Sequence, residues 1–206
     1  MTWAAAGWLV LAYLTGAIPT SYLAGRLFRG IDLREHGSHN LGATNVYRTL
    51  GPRYAIPVGI VDLLKGVVPT VIYARQVSSS DLVALLFGVT AVLGHVFSVF
   101  VRFRGGKGVA TAAGVMLGLT PGAVGVCFVV WASVLALTGY VSLSSIAAAA
   151  VLPLAVYLLY PGSRHLVWLD AVVAALIIWF HRANIGRLLH GTENRFGRRG
   201  AAAPHS

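Results

Sequence analysis

Residues 82–108, LVALLFGVTAVLGHVFSVFVRFRGGKG, decide the class of fold. From Leu82 to Val101 the stretch carries no charged residue apart from the titratable His95, and it then breaks into Arg102, Arg104 and Lys107 set among glycines. A helix needs about 20 mostly apolar residues at 1.5 Å each to cross the hydrocarbon of a bilayer. This run is long enough, and it ends in the basic residues that hold a helix end at a membrane surface.

The pattern repeats on both sides. Residues 3–25, 54–73, 122–138, 141–160 and 166–182 have similar length and polarity. Residues 109–119 (VATAAGVMLGL) are apolar but about half as long before Thr120, Pro121 and Gly122 interrupt them, so the helix there is short, tilted or re-entrant. The chain is 57% hydrophobic and 11% charged, with mean hydropathy +0.75, against roughly 45 to 50% apolar residues in soluble domains. Residues 1–206 therefore read as one all-α integral membrane domain of about seven transmembrane helices, one of them short or re-entrant. Residues 195–206 (RFGRRGAAAPHS) form a short basic tail. The first segment has no basic flank before it and Arg26 and Arg29 after it, which marks a membrane anchor rather than a cleaved signal peptide. The single cysteine, Cys127, lies in an apolar run, where a thiol is packing material and no disulfide within the chain can form.

With the amino terminus outside, alternating crossings put all 16 basic residues except Arg75, Arg164 and the intramembrane Lys65 on the cytoplasmic side. The carboxyl terminus is then cytoplasmic. Three polar islands share that side: Gly37–Arg48 (GSHNLGATNVYR), His95–Thr111 (HVFSVFVRFRGGKGVAT) and His181–Glu193 (HRANIGRLLHGTE). Topology and anionic headgroups account for Arg26, Arg29, Arg53, Arg195, Arg198 and Arg199 without a substrate. No motif for nucleic acid accompanies the net charge of +10.

In the second island Gly105, Gly106 and Gly108 surround Lys107 just before a helix start, so free amides and an ammonium group converge as an anion cradle. The spacing is not that of a Walker A loop, because Gly108 rather than Ser or Thr follows Lys107. A plain glycine turn is the alternative, and Thr111 either adds a hydroxyl to the anion or bonds its own backbone. In the first island a short helix over residues 43–50, ended by Gly51 and Pro52, would aim Thr44 and Arg48 at one ligand. The alternative there is a connector capped by Ser38 or Asn40. In the third island His181, Asn184 and Arg187 fall at steps of three on one helix face and offer a proton acceptor, an amide and a cation. Glu193 reads as an ion-pair brace for the arginines.

Together the islands resemble those of the bacterial acyl-phosphate:glycerol-3-phosphate acyltransferases, the PlsY family. The resemblance rests on SHNLGATNVYR from Ser38, GHVF from Gly94 with FRGGKGVAT from Phe103, HRANIGRLLHGTE from His181, and DLLKG from Asp62 to Gly66. It implies transfer of a fatty acyl group from acyl phosphate to the 1-hydroxyl of glycerol 3-phosphate, without cofactor or metal, at the cytoplasmic face of a bacterial inner membrane. The products are lysophosphatidic acid and phosphate. Membrane lipid, and a soluble enzyme that makes acyl phosphate, are the implied partners. By the same resemblance Ser38, Arg48, His181 and Asn184 are catalytic, and Asn40, Thr44, Asn45, Gly105, Gly106, Lys107, Gly108 and Thr111 bind substrate or phosphate. Two positions depart from the family pattern. His39 stands where glycine is usual, and Ser98 where proline is common.

Three further features are less decisive. His165 and Asp170 form an HxxxxD pair like that of coenzyme A-dependent acyltransferases, but on the predicted outer side, where a chance match is expected. Asp62 and Lys65 form an i, i+3 pair inside a span, read as a structural ion pair, although a transporter would use one as a proton relay. A transporter of phosphorylated small molecules is therefore the alternative reading, and a noncatalytic lipid-binding scaffold a third. Gly114 and Gly118 form a face for close helix packing.

Overall fold

The computed structural model describes residues 2–196, so most of the expected basic tail, including Arg198 and Arg199, lies outside the described residues. The described elements are helical: α1 (Trp3–Ala17), α2 (Thr20–Arg29), α3 (Ala43–Leu50), α4 (Pro52–Val68), α5 (Asp81–Val96), α6 (Val109–Leu119), α7 (Pro121–Thr138), α8 (Val141–Leu159), α9 (Arg164–Phe180) and α10 (Arg182–Leu189). Four helices are long and apolar enough to cross a membrane, and counting each of two bent pairs as one span brings the number to six. The short α6 stands beside them. The integral membrane, all-α architecture predicted from hydropathy is thus present.

The first span differs from its prediction. Instead of one helix over 3–25, α1 and α2 meet at 41°. Pro19 has no amide hydrogen, and Ile18 before it takes an extended ψ of 115°, as sterics before proline favour. The break frees carbonyls that a continuous helix would satisfy. The Ser98 hydroxyl donates to the Ala17 carbonyl at 2.5 Å, and the Lys65 ammonium to that of Ile18 at 2.7 Å. Ser98 has a φ of −65°, the angle proline would impose, so the departure from the family pattern keeps the backbone and adds a donor. The second span also gains a feature. Pro69 starts a π-helical turn through Tyr73, with the Ala74 amide reaching the Pro69 carbonyl, and the helical path runs on to Gln76.

The helix α6 runs from the polar end of the bundle to the opposite end rather than turning back. Its start follows the Lys107 loop, and just after its end the Gly122 amide donates to the Tyr160 hydroxyl beyond α8, at 2.9 Å. Ser142, at the other end of α8, belongs to the polar end through its bond to Glu193. The α6 helix packs on α4 almost without side chains. A Cβ on Gly114 would lie 2.0 Å from the Leu63 carbonyl oxygen and one on Gly66 2.0 Å from that of Thr111. Backbones approach this closely only where glycine stands.

Gly114→Ala is therefore expected to cost about 1 to 3 kcal/mol through overpacking, read as a lower thermal midpoint in detergent. Gly125→Ala, where an added Cβ meets nothing within 4 Å, should leave the midpoint unchanged.

Candidate active site

The third island forms the frame. Helix α9 stops at Phe180, and α10 leaves at 57° with His181 at the bend. The ring Nδ1 of His181 donates to the Ile177 carbonyl at 2.7 Å; a carbonyl only accepts, so Nε2 is left as the basic nitrogen. Asn184 and Glu193 are buried beside it. One Glu193 oxygen accepts from Asn184 at 2.7 Å and from Ser142 at 2.9 Å, and the other from Arg187 Nε at 2.6 Å. Burial alone would raise the pKa of Glu193, but these three donors hold it below the ordinary carboxylate value. Glu193 braces Arg187, and it also joins α10 to α8.

The second island reaches this frame through Lys107, whose ammonium donates to Asn184 Oδ1. The glycines work differently from the expectation. The amides of Gly105 and Gly106 are not free, because they donate to Val96 at 2.9 Å and His95 at 3.2 Å, closing the carbonyl end of α5. Their lack of a side chain matters instead: a Cβ on Gly106 would stand 2.2 Å from the Leu41 carbonyl oxygen of the first island. The amides without a backbone acceptor among the described residues are those of Lys107 to Thr111, at the start of α6. Gly108, at a φ of +78°, turns the chain into that helix by a conformation glycine favours. Thr111 is fully buried, and its hydroxyl forms neither the backbone bond nor any other hydrogen bond among the described residues.

The first island does fold residues 43–50 into a helix, but Gly42 and not Ser38 or Asn40 occupies its cap, with no side-chain cap bond. Asn45, expected to touch a ligand, is instead the staple of the preceding loop. It is buried, donates to the Leu33 and His36 carbonyls at 2.9 and 3.0 Å, and accepts the Ser38 amide at 2.8 Å. The loop has a second staple that sequence reasoning missed, Asp32, which takes a fork of hydrogen bonds from Arg34. The Arg34 hydrogen bonds, against desolvation, hold the Asp32 carboxyl below its ordinary range. His39 has a φ of +57°, so the glycine of the family pattern marks a real conformational demand. A side chain there costs about 1 kcal/mol, and His39 Nδ1 lies 3.0 Å from the Arg34 carbonyl oxygen. The hydroxyls of Ser38 and Thr44 and the amide of Asn40 form no side-chain hydrogen bond among the described residues.

Arg48 closes the ring. Its Nη2 donates to the Asn194 carbonyl at 3.3 Å, while the buried Nε has no partner among the described residues. Residues 194–196 run across this face. The Phe196 ring stacks on Tyr47 at 4.5 Å and its amide donates to the Gly139 carbonyl, so the first residues of the expected tail are held in place. Lys107 feels Glu193, Arg187 and Arg48 together, three cations around one carboxylate. Burial is the main force bringing Lys107 down to about 8, with repulsion by Arg187 and Arg48 added and attraction by Glu193 opposed. Desolvation likewise lowers the pKa of Arg48.

Beside Lys107 a narrow apolar groove runs between α5, α6 and α9, past Leu93, Met116, Val173 and Phe180. Ser142 was missed by sequence reasoning because it sits in an otherwise apolar span; the only signal was the serine-rich start VSLSS of that helix. The HxxxxD pair plays no part among these contacts. His165 is exposed, and the buried Asp170 belongs to the opposite part of α9.

A multi-pass membrane bundle with a recessed, cation-rich polar end is what fold and site define. The chain belongs to the glycerol-3-phosphate acyltransferase family, whose model matches residues 6–191. A glycerol-3-phosphate acyltransferase of Desulforudis audaxviator is 49% identical over 90% of this chain and 92% of its own length. One from Fusobacterium nucleatum is 44% identical over 91% and 96%. The crystal structure of PlsY, an integral membrane glycerol 3-phosphate acyltransferase, in its glycerol 3-phosphate form superposes with a TM-score of 0.87 at 40% identity, covering 94% of this chain and 96% of that one. The lysophosphatidic acid form superposes with a TM-score of 0.83.

The lowered pKa of Lys107 sets a pH dependence. Its ammonium is present below about 8 and lost above, so kcat/KM for an anionic substrate should fall as pH rises from 7 to 9. Lys107→Arg, permanently charged, should be flat over that range whatever its starting value. For folding the sign is opposite. The unfolded chain binds more protons between about 8 and the ordinary lysine value of 10.5, so ligand-free stability should rise across that window relative to Lys107→Met.

Proposed function

We propose that this chain transfers a fatty acyl group from acyl phosphate to the 1-hydroxyl of glycerol 3-phosphate, releasing lysophosphatidic acid and phosphate. The observation that carries the reading is the excess of cations, Lys107, Arg48 and Arg187, around the single Glu193 carboxylate in a partly desolvated site. An anionic ligand balances that excess, and both substrates are phosphates. The family relatives' names and the two ligand forms of the similar crystal structure support the acceptor and the product.

Acyl phosphate is a mixed anhydride, so no covalent nucleophile is required. The acceptor hydroxyl oxygen bonds to the acyl carbon, the bond from that carbon to the phosphate oxygen breaks, and phosphate departs. Lys107, Arg48 and the free amides at the start of α6 offset the repulsion between the two anions. The hydroxyls of Ser38 and Thr44 and the amide of Asn40 supply further contacts to the phosphates. Asn184, fixed between Lys107 and Glu193, orients the site. His181 offers Nε2 to the hydroxyl hydrogen and aims the oxygen, while the proton leaves with the phosphate. The acyl tail lies in the groove between α5, α6 and α9, and the head stays at Lys107. The site faces the cytoplasm of a bacterial inner membrane, with the amino terminus outside, a reading that the distribution of basic residues supports. A soluble acyl-phosphate-producing enzyme supplies the donor.

Purified protein given acyl phosphate and glycerol 3-phosphate in detergent should form lysophosphatidic acid, and acyl coenzyme A should not replace the donor. Flux of a phosphorylated solute across vesicles without product would establish a transporter instead. His181→Ala should lower kcat while the pH profile keeps its shape; loss of the profile's acid limb in that variant would make His181 the base. Met116→Trp, which fills the groove, should reduce kcat/KM for long acyl chains more than for short ones.

A further inference from the structure

Below the Lys107 loop lies a second buried polar cluster that the chemistry above does not use. It comprises Thr20 from α2, Asp62 and Lys65 from α4, and His95 from the last turn of α5. The Lys65 ammonium has three hydrogens, and three acceptors surround it: Asp62 Oδ1 at 2.7 Å, the Ile18 carbonyl at 2.7 Å and His95 Nδ1 at 3.3 Å. Asp62 Oδ1 also accepts from the Thr20 hydroxyl at 2.5 Å. Asp62, Lys65 and His95 are all buried. An ammonium can only donate, so His95 Nδ1 is the acceptor and Nε2 carries the ring hydrogen.

The other side of the imidazole meets the glycine loop. A Cβ on Gly106 would lie 2.3 Å from His95 Nε2, and one on Gly105 would lie 1.9 Å from the His95 carbonyl oxygen. The Gly106 amide is itself tied to that carbonyl. The peptide immediately before Lys107 therefore rests on the His95 ring with no side chain between them. Charges at such a depth are costly unless they do something. Here the Asp62–Lys65 pair sets the imidazole by a hydrogen bond that an apolar residue of equal bulk could not accept.

We infer that His95, held by the Lys65–Asp62 pair, is a positioning residue that supports the glycine loop and so sets the reach of Lys107 to Asn184. The inference rests on Lys107 being the anion-binding group. His95 touches no reacting atom. It acts through the loop, where a small displacement is expensive because it moves both the Lys107 ammonium and the amides at the start of α6 away from a bound phosphate.

The test compares His95→Leu, His95→Asn and Lys107→Ala with the wild type as purified full-length protein in detergent. In His95→Leu the KM for glycerol 3-phosphate or acyl phosphate should rise on the order of tenfold, with the elution profile preserved. Deuterium uptake by peptides covering 103–111 should increase, while peptides from α7 and α8 exchange as before. In His95→Asn, whose Oδ1 can accept from Lys65, most of the KM should return. If His95→Leu does not fold, Asp62→Asn combined with Lys65→Met removes both buried charges and should give the same KM and exchange changes. Wild-type KM and exchange in His95→Leu, with Lys107→Ala impaired, would overturn this inference alone, as would equal losses in His95→Leu and His95→Asn. Wild-type KM in Lys107→Ala would remove the anion site and this inference together.

Discussion

The carboxylate of Glu193 accepts three side-chain hydrogen bonds, and the polar end of the bundle is arranged around it. Removing an ionised group from water is unfavourable by several kcal/mol unless its lone pairs are met. Ser142, Asn184 and Arg187 meet them and thereby lock α10 to the start of α8. Asn184, with its amide nitrogen on Glu193, is left with its oxygen facing Lys107, so a single acid determines where a cation from a distant loop comes to rest. Arg48 is drawn into the same field, and the chain after Glu193 folds over it so that the Asn194 carbonyl takes one guanidinium nitrogen. The buried Nε of Arg48 keeps an unmet donor among the described residues, which in the proposed reaction a substrate oxygen would meet.

Much of this was legible from residue types. Hydropathy located the spans, the Gly51–Pro52 pair located the end of α3, and the glycine expected at position 39 corresponds to a backbone angle of +57°. The i, i+3 spacing of Asp62 and Lys65 corresponds to an ion pair of 2.7 Å. Glu193 could be recognised as a brace because it is the one acid among many arginines. What stayed hidden depends on long-range partners. Gly105 and Gly106 look like free amide donors until α5 ends beneath them and claims both hydrogens. Asn45 looks like a ligand contact until the loop at Leu33 and His36 folds back onto it. Pro19 looks tolerable inside a span, because the donors that stabilise the break, Ser98 and Lys65, lie far away in the chain.

The three polar islands are therefore less independent than their separation in sequence suggests. The Leu41 carbonyl lies against Gly106, His95 lies under it, and the Arg34 side chain reaches the Val101 carbonyl at 3.1 Å. Islands one and two are one structure held by backbone contacts, and island three joins them through side chains. Backbone-to-backbone packing leaves little room for adjustment, whereas the Lys107–Asn184 link can be made and broken by rotation of a flexible side chain.

The brevity of α6 has a consequence for how the reaction would be counted. Its 11 residues against the 19 of α8 amount to a difference of about 12 Å in length at the rise of an ideal helix, and the apolar groove lies directly beside Lys107, the residue just before this short helix. For the proposed reaction, the tailed donor then meets the site without leaving the bilayer, while glycerol 3-phosphate arrives from bulk water. The two substrates obey different concentration scales. The donor is measured by its mole fraction among lipids, and diluting the bilayer with inert amphiphile slows the enzyme even when the molarity of both reactants is held constant.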